Sequence, residues 1–339
     1  MKKVCVEDAV GQILCHDLTR IVRGEMKGVQ FKKGHVVREE DIPLLLDMGK
    51  HHIFVWEQPE GFIHENEAAL RLSALCLNDN ISRSAVSEGK IDLSAAANGL
   101  FRVDTDKLCA INSIEDIIIS CRHSLTSVRK GDKLAGTRVI PLAVSEEKIA
   151  QAEEIAGGIQ IFELLAYQIK SACIITTGSE IAAGRIKDAL TPVIEEKLKA
   201  FGIEVIDRTV VGDDTVDIEK ALAHTRTLNP DLILCTGGMS VDPDDNTPGA
   251  IKRSGAKIVT YGAPILPGSM FLLGYYDDNL PVMGLPGCVM YMASTVFDIV
   301  LPRVAAGLRM CKSDFAMMGH GGLCLDCEQC RFPACSFGK

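Results

Sequence analysis

The sequence predicts an α/β fold, in which a doubly wound, mostly parallel sheet over residues 171–310 is preceded by smaller mixed α+β accessory domains. Three observations predict it. Short apolar runs at Ala172–Thr177, Asp231–Thr236 and Pro281–Leu285 each stop at glycine or Pro-Gly. Stretches with apolar residues at helical spacing lie between them, and strands alternating with helices at such intervals wind into a parallel sheet. A chain of 339 residues also exceeds what one core usually holds, since single cores stop growing near roughly 250–300 residues.

In chain order, residues 1–60 predict an N-terminal α+β segment. It has one helix from Glu39 to Met48, acidic in its first turn and stopped by Gly49, then a strand from His52 to Trp56. Residues 61–150 predict a β-rich accessory domain with a helix over Glu65–Leu77, a strand over Ile91–Leu93 and a β stretch over Lys130–Pro141, punctuated by Gly131 and Gly136. Helical spacing over Glu146–Leu165, interrupted by Gly157 and Gly158, predicts a connecting helix pair, to which residues 151–170 are assigned. Within 171–310 a helix over Arg185–Ala200 ends at Gly202, Ile203–Arg208 is the second strand, and Thr215–Leu228 is the helix after it. Val289–Val300 is the helix after the Pro281–Leu285 strand, and residues 257–274 break the alternation as a β-ribbon. Residues 311–339 form a cysteine-rich tail.

Net charge is -9, with Lys and Arg scattered, so the basic footprint of a nucleic-acid binder is missing. No apolar run approaches the roughly 20 residues that span a bilayer. Glu7 and Asp8 interrupt the stretch a secretory signal would need, which places the protein in the cytoplasm. In that compartment thirteen cysteines read as thiols and metal ligands before disulfides.

Gly178, Gly212, Gly237-Gly238 and Gly287 all follow the carboxyl end of a predicted strand, where open α/β sheets bind ligands. Glycine there lets the backbone approach an anion and turn its N–H groups inward, so these loops are read as the site of a phosphorylated small molecule. Glu180, Asp213, Asp214, Asp242, Asp244 and Asp245 crowd the same loops. Acids beside a phosphate call for a cation, and Mg²⁺ on one or two carboxylates is the ordinary answer. Asp213 and Asp214 read equally as helix caps or as functional acids, whereas Asp244-Asp245, ahead of a turn at Pro248-Gly249, read as functional.

In order and spacing, Thr177-Gly178-Ser179-Glu180, Val211-Gly212-Asp213-Asp214, Gly237-Gly238-Met239-Ser240-Val241-Asp242-Pro243-Asp244-Asp245, Pro267-Gly268-Ser269 and Gly284-Leu285-Pro286-Gly287 resemble a known domain. It is the molybdopterin-binding domain of MoeA-type and MogA-type proteins and gephyrin. Lys130–Leu142 and the N-terminal strands resemble the accessory domains of the molybdopterin molybdenumtransferase branch. The resemblance implies a role in molybdenum cofactor biosynthesis: binding molybdopterin, then inserting molybdate with Mg²⁺-assisted cleavage of adenylylated molybdopterin. It implies Asp245, Asp244 and Glu180 as catalytic acids. It implies Thr177, Gly178, Ser179, Asp188, Asp213, Asp214, Gly237, Gly238, Ser240, Pro267, Gly268, Pro286 and Gly287 as the cofactor-binding set. A homodimer is implied as well.

Departures from the pattern support an alternative, a non-catalytic carrier or sensor of the cofactor serving a molybdenum oxidoreductase. Ser179 stands where the transferases usually have Asp, Leu190 where they have Asn, Asp242 where they have Gly, and Cys288 where they have Asn. Gly262 and Leu266 replace lysines, and residues 311–339 stand where those enzymes carry a β-domain.

That tail reads Cys324-x2-Cys327-x2-Cys330-x4-Cys335, with His320 upstream. Four soft ligands so close together predict a metal. The first three match a ferredoxin-type iron–sulfur loop, while x4 and the place of Pro333 depart from it, so iron–sulfur is favoured and zinc stays open. Cys5, Cys15, Cys76, Cys109, Cys121, Cys173, Cys235 and Cys311 lack partners at ligand spacing and read as buried or incidental thiols, and His51-His52 read as structural.

Overall fold

The computed structural model describes residues 2–22, 26–55, 60–243 and 245–339. The chain divides into two compact units, one of residues 1–97, 101–124 and 129–164, the other of 98–100, 125–128 and 165–339.

In the first unit, strands Lys2–Cys5 and His52–Val55 pair antiparallel beside the helix Ile42–Asp47, around Val6, Leu14, Phe31, Leu45 and Ile53. A four-stranded antiparallel sheet runs in the order Ile81–Arg83, Lys90–Ala95, Lys133–Val139, Ile117–Cys121. Alternate residues of Lys90–Ala95 are buried, as one covered face requires, and the helix Glu65–Ala74 lies against that sheet. The helix Thr105–Asn112, capped by Asp104, carries little apolar periodicity, and sequence reasoning misses it. Of the expected helix pair, only Glu146–Ala156 is helical. Gly157 ends it in the left-handed conformation, and Phe162–Ala166 is a strand that buries alternate residues, a period of two that a helix cannot present. Trp56 lies outside the described residues.

The second unit is built on a six-stranded sheet: β1 (Ser171–Thr177), β2 (Glu204–Val211), β3 (Leu232–Thr236), β4 (Lys257–Tyr261), β5 (Leu272–Tyr275) and β6 (Pro281–Leu285). The order is β2-β1-β3-β6-β5-β4. Pairing is parallel from β2 to β6 and antiparallel at β6–β5 and β5–β4, so the expected ribbon becomes the sheet's far edge. Six consecutive residues of β1 are buried because both faces are covered. Ile174, Leu234 and Met283 pack toward helices Leu190–Ala200 and Val296–Ala305. Ile175, Ile233 and Val282 pack toward Thr215–Thr227 and Thr247–Arg253.

Three boundaries differ from expectation. The stretch after Gly178 holds a short helix Ser179–Ala182, then a loop, before the helix starts at Leu190. Pro248-Gly249 belongs to the first turn of a helix and not to a free turn, because proline suits a position whose N–H has no helical partner. Residues Gly287–Met290 form one 3-10 turn, and the long helix begins only at Val296, where Thr295 and Asp298 cap each other's backbone. No helix among the described residues is long and apolar enough to cross a membrane.

Candidate functional site

Strand order determines where the loops meet. The chain leaves β1 for β2 on one side and returns to β3 on the other, so the switch point of the sheet lies between β1 and β3. Parallel pairing aligns Thr176 with Thr236, which sets Thr177-Gly178 beside Gly237-Gly238.

Approach there is closer than any other residue allows. Gly237 has φ +80°, and a methyl on it would overlap the carbonyl oxygen of Thr177; a methyl on Gly238 would stand 2.8 Å from Thr247 Oγ1. Buried Thr177 Oγ1 donates to the Thr236 carbonyl at 3.2 Å and pairs with Thr247 Oγ1 at 3.0 Å. Thr247 N–H donates to the Gly238 carbonyl at 3.3 Å. The loop that follows β3 is thereby pinned at both its ends.

A second set of bonds joins the three loops. Gly178 N–H donates to the Val211 carbonyl at 3.1 Å, Ser179 N–H donates to Asp213 Oδ2 at 2.8 Å, and Asn246 Nδ2 donates to the Asp213 carbonyl at 3.0 Å. Asp213 therefore ties the loops after β1, β2 and β3 together. Asp214 instead caps the helix Thr215–Thr227, accepting from Val216 N–H at 2.9 Å. The cap reading of this acid pair thus holds for Asp214, while Asp213 bonds to neighbouring loops.

Asp188 also serves the scaffold. Its carboxylate accepts Leu190 N–H at 2.9 Å, Thr191 N–H at 3.1 Å, Thr191 Oγ1 at 2.5 Å and Thr176 Oγ1 at 3.0 Å. Partial burial pushes its pKa up, but these donors, Thr191 foremost, outweigh burial and hold it below the usual carboxylate range. Glu180 sits exposed on the short helix Ser179–Ala182, and Asp245 is half-buried, its N–H bound to the Asp242 carbonyl at 3.0 Å. Neither carboxylate is engaged in a hydrogen bond or ion pair among the described residues. Asp244 lies outside the described residues.

Sequence reasoning misses Tyr261, at the end of β4. Its hydroxyl donates to the carbonyls of Met239 at 2.9 Å and Ser240 at 3.1 Å, and its pKa is raised first by burial and then by the charge of Asp245. Ser240 itself is exposed. A tyrosine closing a long-range strand leaves no local signal; Asn246-Thr247-Pro248, by contrast, is a readable helix start.

Buried Pro286 and exposed Gly287 follow β6, on the same edge as Gly237-Gly238, for Thr236 aligns with Leu285. Met239 packs against Gly284 of β6, closing the gap between the loops. Pro267-Gly268 lies between β4 and β5 and is held by Val296 N–H donating to the Pro267 carbonyl at 3.2 Å. Gly268 is needed there, since a methyl would stand 2.6 Å from Val296 Cγ1.

The tail cysteines share one place. Cys324, Cys327, Cys330 and Cys335 all line a cavity of about 90 Å³. Among the described residues, no three of His, Cys, Asp or Glu converge to hold a single metal ion, here or at the glycine loops. A larger cavity of about 630 Å³ lies at the opposite, amino-terminal ends of β1, β3 and β6, around Ile169, Asp231 and Pro281. We place the candidate site at the glycine loops despite that volume, because the strand order puts the sheet's switch point there, where open α/β sheets bind ligands.

Comparison with known proteins gives the following. Residues 173–306 match the family described as "Probable molybdopterin binding domain", and residues 3–57 match a domain of unknown function (DUF8806). A CinA-like protein of Mycobacterium sp. (strain JLS) is 37% identical over 82 residues, 24% of this chain and 20% of that protein. The molybdopterin molybdenumtransferase of Haemophilus influenzae is 25% identical over 187 residues, 52% of this chain and 43% of the enzyme. The chain thus spans a fifth of the first relative and under half of the second. The molybdopterin biosynthesis enzyme MoaB of Thermus thermophilus aligns at a TM-score of 0.33 with 22% identity, over 41% of this chain and 98% of that one.

Proposed function

We propose, from the premise that residues 173–306 form a domain of the molybdopterin-binding family, that this protein binds molybdopterin at its glycine loops and inserts molybdate by cleaving the adenylylated form. The observation that carries this reading is the meeting of the Gly178 and Gly237-Gly238 loops at the sheet's switch point, cross-tied by Asp213. Backbone N–H groups at such a crevice suit a terminal phosphate.

The acids divide by task. Asp188 and Asp214 hold helix starts and Asp213 holds loops. Asp245, Asp244 and Glu180 are therefore the catalytic acids of this reading. Mg²⁺ fits a donor set of one or two carboxylates completed by ligand phosphate, and Asp245 and Glu180 would hold it. When bound, the ion offsets the charge that builds up as a phosphoanhydride breaks. Burial first, and then the charge of Asp245, raise the pKa of Tyr261, whose hydroxyl steadies the carbonyls of Met239 and Ser240. The threonines 177, 236 and 247 that support these loops are buried.

The test is turnover. With Mg²⁺ and molybdate the protein consumes adenylylated molybdopterin, and Asp245→Ala lowers the rate by at least about a hundredfold, the scale of removing a group that stabilises transition-state charge. Binding of molybdopterin without turnover in the unaltered protein would replace this reading by the second one, a carrier or sensor serving a molybdenum oxidoreductase. That reading is favoured by one feature: the cysteine tail runs directly along Leu266, beside Pro267-Gly268.

A further inference from the structure

The tail is a closed loop before any metal is considered. Gly338 N–H donates to the Gly321 carbonyl at 2.9 Å, so residues 321–338 begin and end at one point. Phe337, 3% exposed, anchors it in the core of the second unit, with Phe332 edge-on at a ring distance of 6.0 Å. On the other side, Leu266 N–H donates to the Gly322 carbonyl and Cys324 N–H to the Leu266 carbonyl, each at 2.8 Å, which makes a short parallel bridge. This backbone is set in place by packing and hydrogen bonds.

Inside the loop, Cys324, Cys327, Cys330 and Cys335 face one cavity of about 90 Å³, which also receives Ser294, whose Oγ lies 3.4 Å from Cys330 Sγ. A tetrahedral zinc site draws four sulfurs to about 2.3 Å from one point, leaving no room between them. Here the four cysteines line one opening of about 90 Å³ that lies between them. Four ligands spread around an opening suit a multi-iron centre, in which each thiolate binds its own corner.

We propose that these four cysteines ligate an iron–sulfur cluster, each thiol giving up its proton as it binds iron. Cys327 and Cys330 are exposed and Cys324 and Cys335 half-buried, so one edge of the cluster faces solvent and is open to oxidants while the other rests on Phe332 and Phe337. This assignment stands apart from the pterin reading, since it uses none of the glycine loops' acids.

The experiment is anaerobic reconstitution of the full chain with equal ferrous and ferric iron plus sulfide, a mixture that assembles a cuboidal cluster without a further oxidant. The expected product holds iron and acid-labile sulfide in equal amounts, about four of each per chain, with a visible charge-transfer band that bleaches in air. Cys327→Ser and Cys330→Ser, both at exposed positions, lower the iron content at least about fivefold while circular dichroism stays unchanged; Cys109→Ser, exposed in the first unit, leaves it intact. Zinc bound without sulfide, no metal at all, or iron retained in the Cys327→Ser and Cys330→Ser variants would overturn the proposal.

Discussion

The carboxylate of Asp213 accepts the backbone N–H of Ser179 at 2.8 Å, so the acid that follows β2 sets the conformation of the loop that follows β1. Asn246, after β3, donates to the carbonyl of the same residue. One aspartate thereby couples three strand ends.

Asp213→Ala leaves the Ser179 N–H without its charged acceptor. Hydrogen bonds to charged groups contribute about 1.5–3 kcal/mol, so urea denaturation should show a loss in that range. Asp213→Asn keeps an acceptor oxygen and should recover more than half of it. Equal losses for the two variants would show that the bond to Ser179 is not what the residue supplies.

Gly237 and Gly287 should respond oppositely to the same change. Gly237→Ala forces a methyl onto the Thr177 carbonyl at φ +80°, and a loss of about 3 kcal/mol or more is expected, as for other overpacked and strained positions. Gly287 has no atom within 4 Å of such a methyl, and Gly287→Ala should stay within about 0.5 kcal/mol. Thermal melts of the two variants side by side decide the point.

Asp188 should make stability depend on acid. Its carboxyl lies below the usual range in the folded protein, so it contributes stability above its unfolded pKa of about 3.9, and that contribution disappears as pH falls through the folded value. Asp188→Ala should cost on the order of 2 kcal/mol at neutral pH, as a lost cap with buried partners does. The gap from the unaltered protein should narrow toward the acid end of a denaturation series.

Glu65 in the first unit should act in the reverse sense. It is 4% exposed, and burial raises its pKa to about 7, with Arg138 opposing. The folded state keeps the proton longer than the unfolded chain, so stability is greatest below the model-peptide value of 4.5 and declines as pH rises to about 7. At ~1.4 kcal/mol per unit the decline is on the order of 3 kcal/mol. Glu65→Gln should flatten it, and an unchanged pH–stability slope in that variant would refute the assignment.

Much of the site is legible in the residues because its parts are local. An apolar run ending at Gly178 or Gly237 announces a strand and the loop beyond it, and the apolar spacing from Thr215 announces the helix after the second loop. What stays hidden depends on partners far along the chain: Tyr261 reaching Met239, Met239 filling the space over Gly284, and Thr177 bonding Thr247. The strand at Phe162 reads as helix in the sequence for a related reason, since five residues are too few to separate a period of two from one of 3.6 without knowing what covers them.

By itself the sequence determined the alternation of strands and helices in residues 171–310, the glycine loops at the strand ends, and the four closely spaced cysteines, since backbone conformational preference and apolar periodicity act between near neighbours. Only the tertiary structure decided that β1 lies between β2 and β3, which acids hold the scaffold, and that four thiols face one cavity. These follow from strand pairing and packing between residues tens of positions apart, where the free energy of a contact depends on everything else already in place.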